Sequence, residues 1–138
     1  MEEISEKEFI LSPRQTERIA LEYVKNWYKT KGKELVPPDK GERGFDLKTS
    51  DGFSFYEVKG TATGTTEVAF RNLTPLEFKM AQKCWKSNLE YNLIVVLNVG
   101  SDKIFHRTLP AEDIIKSARE EKIYRIPLRR REIEKYKP

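Results

Sequence analysis

The chain is nearly without sulfur and imidazole: its 138 residues include one cysteine, Cys84, and one histidine, His106. A lone cysteine cannot close an internal disulfide, and the pair cannot assemble the Cys/His set of a structural zinc site. Cys84 reads as a core residue. His106 reads as a packing or surface residue on a strand rather than a general base, and nothing in the spacing suggests a Ser-His-Asp triad. No apolar run approaches the ~18 residues of a membrane-spanning helix, and Met1-Glu2-Glu3-Ile4 lacks the basic and apolar regions of a signal peptide. The expectation is a soluble, cytoplasmic protein without a membrane partner. Internal repeats and low-complexity segments are also missing. With 38% hydrophobic residues the chain can build one core, so a single domain over residues 1–138 is expected. Glutamine occurs only at Gln15 and Gln82 while 35% of residues are charged, a balance found in heat-adapted proteins.

Charge is present but uneven. The net charge is +4, yet residues 122–138 hold seven Lys/Arg against two Glu, a local charge of +5 that leaves −1 for the rest. Arg129, Arg130 and Arg131 within this stretch read either as solvated surface or as a phosphate-attracting patch on a loose basic tail over 129–138.

Ser12-Pro13-Arg14-Gln15 is a capping box with proline at the first helical position, which predicts a helix from residue 13 to Lys31, stopped by Gly32. Its apolar stripe is Ala20, Leu21, Val24, Trp27 and Tyr28. Projected back one turn, that stripe reaches Glu17, which would point toward the core while Glu22 faces solvent. A loop over 33–44 with a short strand at Leu35-Val36 comes next, then two strands over 45–49 and 53–59 around Ser50-Asp51-Gly52, a strong hairpin signal. A strand is expected over 67–71. Thr74-Pro75-Leu76-Glu77 repeats the capping box and opens a helix of about a dozen residues whose inner face is Leu76, Met80, Ala81 and Cys84. Trp27 and Trp85, both on helices, read as core residues. Leu93 to Val99 suits a strand covered on both faces, followed by an antiparallel strand over 103–109, a helix over 111–119 and a short strand over 124–128. These elements predict an α/β fold, a mixed central sheet flanked by helices.

The hairpin register carries chemistry. If Asp51-Gly52 forms a two-residue loop, paired positions sum to 103 and Asp46 stands opposite Glu57, with Cβ atoms about 4.5 to 5.5 Å apart. Lys59, two residues beyond Glu57, shares its face. Facing like charges destabilise a sheet, and a bound cation would remove the penalty. Carboxylate oxygens suit Mg²⁺ or Mn²⁺. Phe53 and Phe55 on the charged side, with Phe45, Leu47, Tyr56 and Val58 on the other, imply partial burial of these charges.

Gly44-Phe45-Asp46, Glu57-Val58-Lys59-Gly60-Thr61 and Leu73-Thr74-Pro75-Leu76-Glu77 together resemble the PD-(D/E)XK nuclease superfamily, which includes restriction endonucleases and Holliday-junction resolvases. Within it the chain is most similar to the C-terminal domain family of NO VEIN, over residues 13 to about 100. The resemblance implies a restriction-endonuclease-like fold in which Asp46 and Glu57 bind metal and Lys59 positions or activates the attacking water. It also implies an acid on the first helix, the place where periodicity selects Glu17. The residue before Asp46 is Phe rather than Pro, and the literal Pro38-Asp39 upstream makes Asp39 a second candidate ligand. The acid-x-Lys pattern alone says little, because Asp46-Leu47-Lys48, Glu77-Phe78-Lys79 and Glu120-Glu121-Lys122 match it too.

The expected function is hydrolysis of a nucleic-acid phosphodiester, with DNA as substrate and Mg²⁺ or Mn²⁺ as cofactor. Desolvation would lower the pKa of Lys59. Lys48, Arg71 and the Arg129–Arg131 cluster would hold backbone phosphates, with Arg71 and Asn72 near a helix N-terminus. With no separate specificity domain to read, targeting would fall to a partner protein, and two subunits would pair to cut both strands. The competing readings are an inactive nuclease-like module that binds DNA or a protein, and a structural protein whose charges serve heat adaptation.

Overall fold

The computed structural model describes residues 10–64 and 72–118. Helix α1 spans Pro13–Thr30. Ser12 Oγ accepts the Gln15 N–H at 3.1 Å while Gln15 Oε1 accepts the Ser12 N–H at 2.8 Å, so two amides without helical partners are satisfied reciprocally. The helix ends as its sequence predicts, with Lys31 at the C-cap and Gly32 at φ +81, a conformation that glycine adopts without steric cost.

Five strands follow: β1 (Leu35–Val36), β2 (Leu47–Thr49), β3 (Ser54–Gly60), β4 (Glu90–Leu97) and β5 (Phe105–Pro110). They lie side by side in chain order. Only β3 and β4 run parallel, and helix α2 (Pro75–Lys86) stands in the connection between them. Helix α3 (Ala111–Ser117) follows β5 directly. The fold is therefore an α/β arrangement of a mixed five-stranded sheet flanked by helices. Residues 67–71, 124–128 and 129–138, where two strands and a basic tail were expected, lie outside the described residues.

Side chains alternate along the strands and build two cores. On one face Ala20 and Val24 of α1 pack on Leu35, Leu47, Tyr56, Val58, Ile94 and Val96. On the other, Ala81 and Cys84 of α2 and Ala111 and Ile114 of α3 pack on Phe45, Phe55, Tyr91, Leu93, Val95 and Leu97. Strand β4 is covered on both sides, in line with its unbroken apolar run.

Several local expectations need correction. The hairpin keeps the predicted register, Leu47 opposite Tyr56 and Lys48 opposite Phe55, but its loop widens symmetrically to residues 50–53. Asp51 organises that loop: its Oδ1 accepts from Thr49 Oγ1 at 2.6 Å and from the Phe53 N–H at 3.0 Å. The ladder stops at Leu47, so Asp46 is not a ladder partner of Glu57. Its backbone N–H goes to Tyr56 O at 2.8 Å, and its Oδ2 accepts the Val58 N–H at 2.8 Å in place of a backbone carbonyl. This step also moves Phe45 to the other face, where its ring meets Phe55 at 4.9 Å. Phe53 is exposed at the loop edge. On α2 Met80, Ala81 and Cys84 face inward as expected, joined by Glu77 and Phe78, while Leu76 and Trp85 are exposed. Trp27 is half-buried against His106, and Tyr23 Oη hydrogen-bonds His106 Nδ1 at 2.9 Å, so the histidine is a packing residue.

Helix α1 reaches the sheet most closely at Gly60. A Cβ there would fall 2.8 Å from Ala20 Cβ and 3.2 Å from Thr16 O, contacts that no rotamer change relieves. Gly60→Ala is therefore expected to cost about 1 to 3 kcal/mol through displacement of the helix. Urea denaturation measures this, and an unchanged midpoint would show that α1 is not seated on Gly60.

Candidate active site

Strand β3 supplies the centre of the site. Tyr56 and Val58 face α1, so Glu57 and Lys59 project to the opposite face, where α2 begins. Glu57 is only 4% exposed and Lys59 is half-buried. Asp46 arrives from the chain just before β2, fixed by its hold on the Val58 amide. Beneath the turn that delivers it, the buried Tyr91 donates from its hydroxyl to Gly44 O at 2.9 Å. Gly44 itself has φ +92, and a Cβ there would strike Leu76 O at 2.8 Å, so the turn and α2 approach as closely as a glycine permits.

These groups open into a cleft of about 530 Å³ lined by Thr16 and Glu17 of α1, by Asp46, by Glu57 and Lys59, and by Glu77 of α2. Glu17 thus reaches the same cleft as the β3 residues. It does so as an exposed side chain at the rim and not from the core. The route is open because Gly60 lets α1 lie against the end of β3.

Glu77 is the residue that the sequence reading left in a minor role. It closes the capping box of α2, its Oε1 accepting the Thr74 N–H at 2.9 Å while Thr74 Oγ1 accepts the Glu77 N–H at 3.2 Å. The same Oε1 stands 3.1 Å from Lys59 Nζ. Glu57 Oε2 is 3.2 Å from that nitrogen. The signal was available in part: a glutamate at the third helical position folds back over the helix start, and this helix start follows the strand that carries the lysine.

Electrostatics set the protonation states. Burial, followed by the negative charges of Asp46 and Glu77, pushes Glu57 up from 4.5 to about 9, and Lys59 opposes this only in part. Burial also works against the Lys59 ammonium, but Glu57 and Glu77 outweigh it and raise the lysine above its ordinary value. The sequence expectation of a lowered lysine pKa is thereby reversed. Burial likewise disfavours ionised Glu77, yet the Thr74 N–H and Lys59 bring it below its ordinary range. At neutral pH, Lys59 and Glu77 form a true ion pair and Glu57 retains a proton.

The remaining sequence candidates lie elsewhere. Lys48 is buried at the β2–β3 pair, its Nζ held by Asp39 at 2.6 Å and Glu42 at 2.7 Å, and it does not line the cleft. Asp39 is exposed and engaged with that lysine, which separates it from Asp46 and Glu57. Asn72 is exposed just before the α2 cap. Arg71, Arg129, Arg130 and Arg131 lie outside the described residues.

Among the described residues no group of three or more His, Cys, Asp and Glu side chains is arranged to hold a metal ion. Glu17 therefore does not join Asp46 and Glu57 as a third converging carboxylate. Asp46 and Glu57 remain a two-carboxylate set of hard oxygen donors, and Mg²⁺ is commonly bound by one or two carboxylates with waters completing its shell. Burial first, and then the charges of Asp46 and Glu77, hold Glu57 above the ordinary carboxylate range. In donor chemistry the pair fits a divalent ion.

Fold and cleft define the class: an α/β domain with acidic groups and one lysine gathered at the end of a central strand. Residues 16–108 match the model of the family described as Protein NO VEIN, C-terminal, and the chain belongs to that family. No curated protein and no solved structure matches the chain. Among the described residues no helix is long and apolar enough to cross a membrane.

The raised pKa of Glu57 has a consequence for stability. Folding is favoured while the group holds its proton, and that advantage is lost as pH rises from 4.5 toward about 9. Glu57→Gln, neutral throughout, should stabilise the metal-free protein by about 1 to 3 kcal/mol at pH 8 and by little at pH 4. Guanidinium denaturation at both pH values measures the difference. A variant less stable than wild type at pH 8 would contradict the assigned environment.

Proposed function

We propose that the chain is a metal-dependent nuclease of the PD-(D/E)XK type that hydrolyses phosphodiester bonds in DNA. One observation carries the reading: Asp46, Glu57, Lys59 and Glu17, each selected by pattern or resemblance, line a single cleft. Residues from α1, from the approach to β2 and from β3, distant in sequence, meet there, which supports the reading.

Asp46 and Glu57 would hold a Mg²⁺ or Mn²⁺ ion, with Glu17 at the rim. When bound, such an ion polarises the phosphoryl oxygen and lowers the pKa of a water. The chain's own contribution is positional. Asp46 is locked by the Val58 amide and Glu57 by burial in the sheet, so the donors are fixed before substrate arrives. Lys59, raised in pKa, is a cation at neutral pH. It is placed to donate a hydrogen bond to the attacking water or to a phosphoryl oxygen. Glu57 must release its proton to bind a cation, which makes cation binding and deprotonation one linked event.

Affinity for the DNA backbone would come from Arg71 and from the basic residues of 122–138, an attraction that weakens as salt rises. Lys48 contributes less than its charge suggests because Asp39 and Glu42 occupy it. Double-strand cutting would call for two subunits, and sequence choice for a targeting partner.

The test is incubation with single-stranded, duplex, branched and modified DNA in the presence of Mg²⁺ or Mn²⁺. Asp46→Ala, Glu57→Ala and Lys59→Ala should each lower the cleavage rate about a hundredfold or more. Asp39→Ala should cleave like wild type. Cleavage that survives both Glu57→Ala and Lys59→Ala would overturn the site. Salt-dependent DNA binding without cleavage of any substrate would identify a nuclease-like binding module instead.

A further inference from the structure

Lys59 has two carboxylate neighbours with different origins. Glu57 lies two residues back on the same strand, and it is the group that a divalent ion would engage in the function proposed above. Glu77 comes from another element, and nothing in that chemistry uses it. Its position is nonetheless more tightly defined than a lysine partner needs to be. One oxygen, Oε1, meets both the Thr74 N–H at 2.9 Å and Lys59 Nζ at 3.1 Å, and Oε2 stands 3.4 Å from the same ammonium. The carboxylate is thus anchored at the start of α2 by the reciprocal cap.

The need for such an anchor follows from charge. A divalent ion on Glu57 would repel an ammonium 3.2 Å from that carboxylate, and Lys59 is 33% exposed with a flexible four-carbon stem. Without a second partner the ammonium would leave for solvent just as the site became occupied. A second anion, fixed by its own helix rather than by β3, holds the ammonium in place.

We infer that Glu77 is a positioning residue: it keeps the Lys59 ammonium in the cleft when Glu57 is given to a cation, so that the acid and the lysine of one strand act as separate groups. The inference rests on the nuclease reading. It also makes the N-terminal cap of α2 part of the site, because the hydrogen bond that starts the helix aims the carboxylate.

The cap and the ion pair can be separated. Glutamine serves in the same reciprocal cap, as Gln15 does at the start of α1 in this chain. Glu77→Gln therefore preserves the helix start and removes the charge that Lys59 sees. The whole chain, wild type and variant, would be compared by thermal unfolding, by Mg²⁺-dependent DNA cleavage and by ¹⁵N NMR of the lysine ammonium groups.

The expected result is a retained cooperative unfolding transition, a kcat lowered about 10- to 100-fold at unchanged KM for DNA, and a Lys59 Nζ signal that persists with Mg²⁺ in wild type but is lost in the variant. Wild-type kcat in Glu77→Gln, or loss of the wild-type Lys59 signal when Mg²⁺ is added, would overturn the inference. Should the wild type cleave nothing, the nuclease reading fails. The Lys59 signal in wild type and variant would still decide whether Glu77 holds the ammonium.

Discussion

The site depends on one ammonium in contact with two carboxylates that belong to different parts of the fold. Lys59 lies 3.2 Å from Glu57 and 3.1 Å from Glu77, and Asp46 adds a third acid to the same cleft. A sheet built only for stability would not collect three acids around a single cation at a largely buried position. Burial, helped by the neighbouring acids, raises the pKa of Glu57. Acids and a cation forced together at a cost to stability are what a cation-binding, phosphate-cleaving site requires.

The rest of the structure serves this placement. Alternation along β3 sends Tyr56 and Val58 into one core and leaves Glu57 and Lys59 on the other face. The parallel pairing of β3 with β4 sets β3 inside the sheet, so its polar residues are covered while its C-terminal end stays open to the cleft. Gly60 and Gly44 are the two points where backbones must approach without a side chain between them, α1 at the first and α2 at the second. Each brings an acid to the same cleft, Glu17 from α1 and Glu77 from α2.

Much of this was legible in the residue pattern, and the misses share a cause. Both capping boxes fixed helix starts to the residue, because Ser12-Pro13 and Thr74-Pro75 satisfy local backbone needs that do not depend on tertiary packing. The hairpin register survived a wrong loop length because Asp51 and Gly52 remained at its centre. Asp46 was singled out as a candidate but misplaced in the ladder. Its carboxylate replaces a backbone acceptor for Val58, an exchange that leaves no periodic trace, and the resulting step carried Phe45 to the unexpected face. Glu77 was hidden for a related reason: its capping role explained it fully until the tertiary fold placed Lys59 beside it. The face of α2 that packs Phe78, Ala81 and Cys84 on the core points Glu77 inward and leaves Leu76 exposed.

The central claim is that Asp46 and Glu57 form a divalent-cation site whose charge Lys59 and Glu77 leave unbalanced. Calorimetric titration of the metal-free chain with Mn²⁺ tests it most directly, alongside Asp46→Asn and Glu57→Gln, which keep shape and remove charge. The account predicts saturable binding to the wild-type chain, lost or weakened about tenfold or more in either variant. Equal Mn²⁺ binding by all three proteins, or none by the wild type, would contradict it.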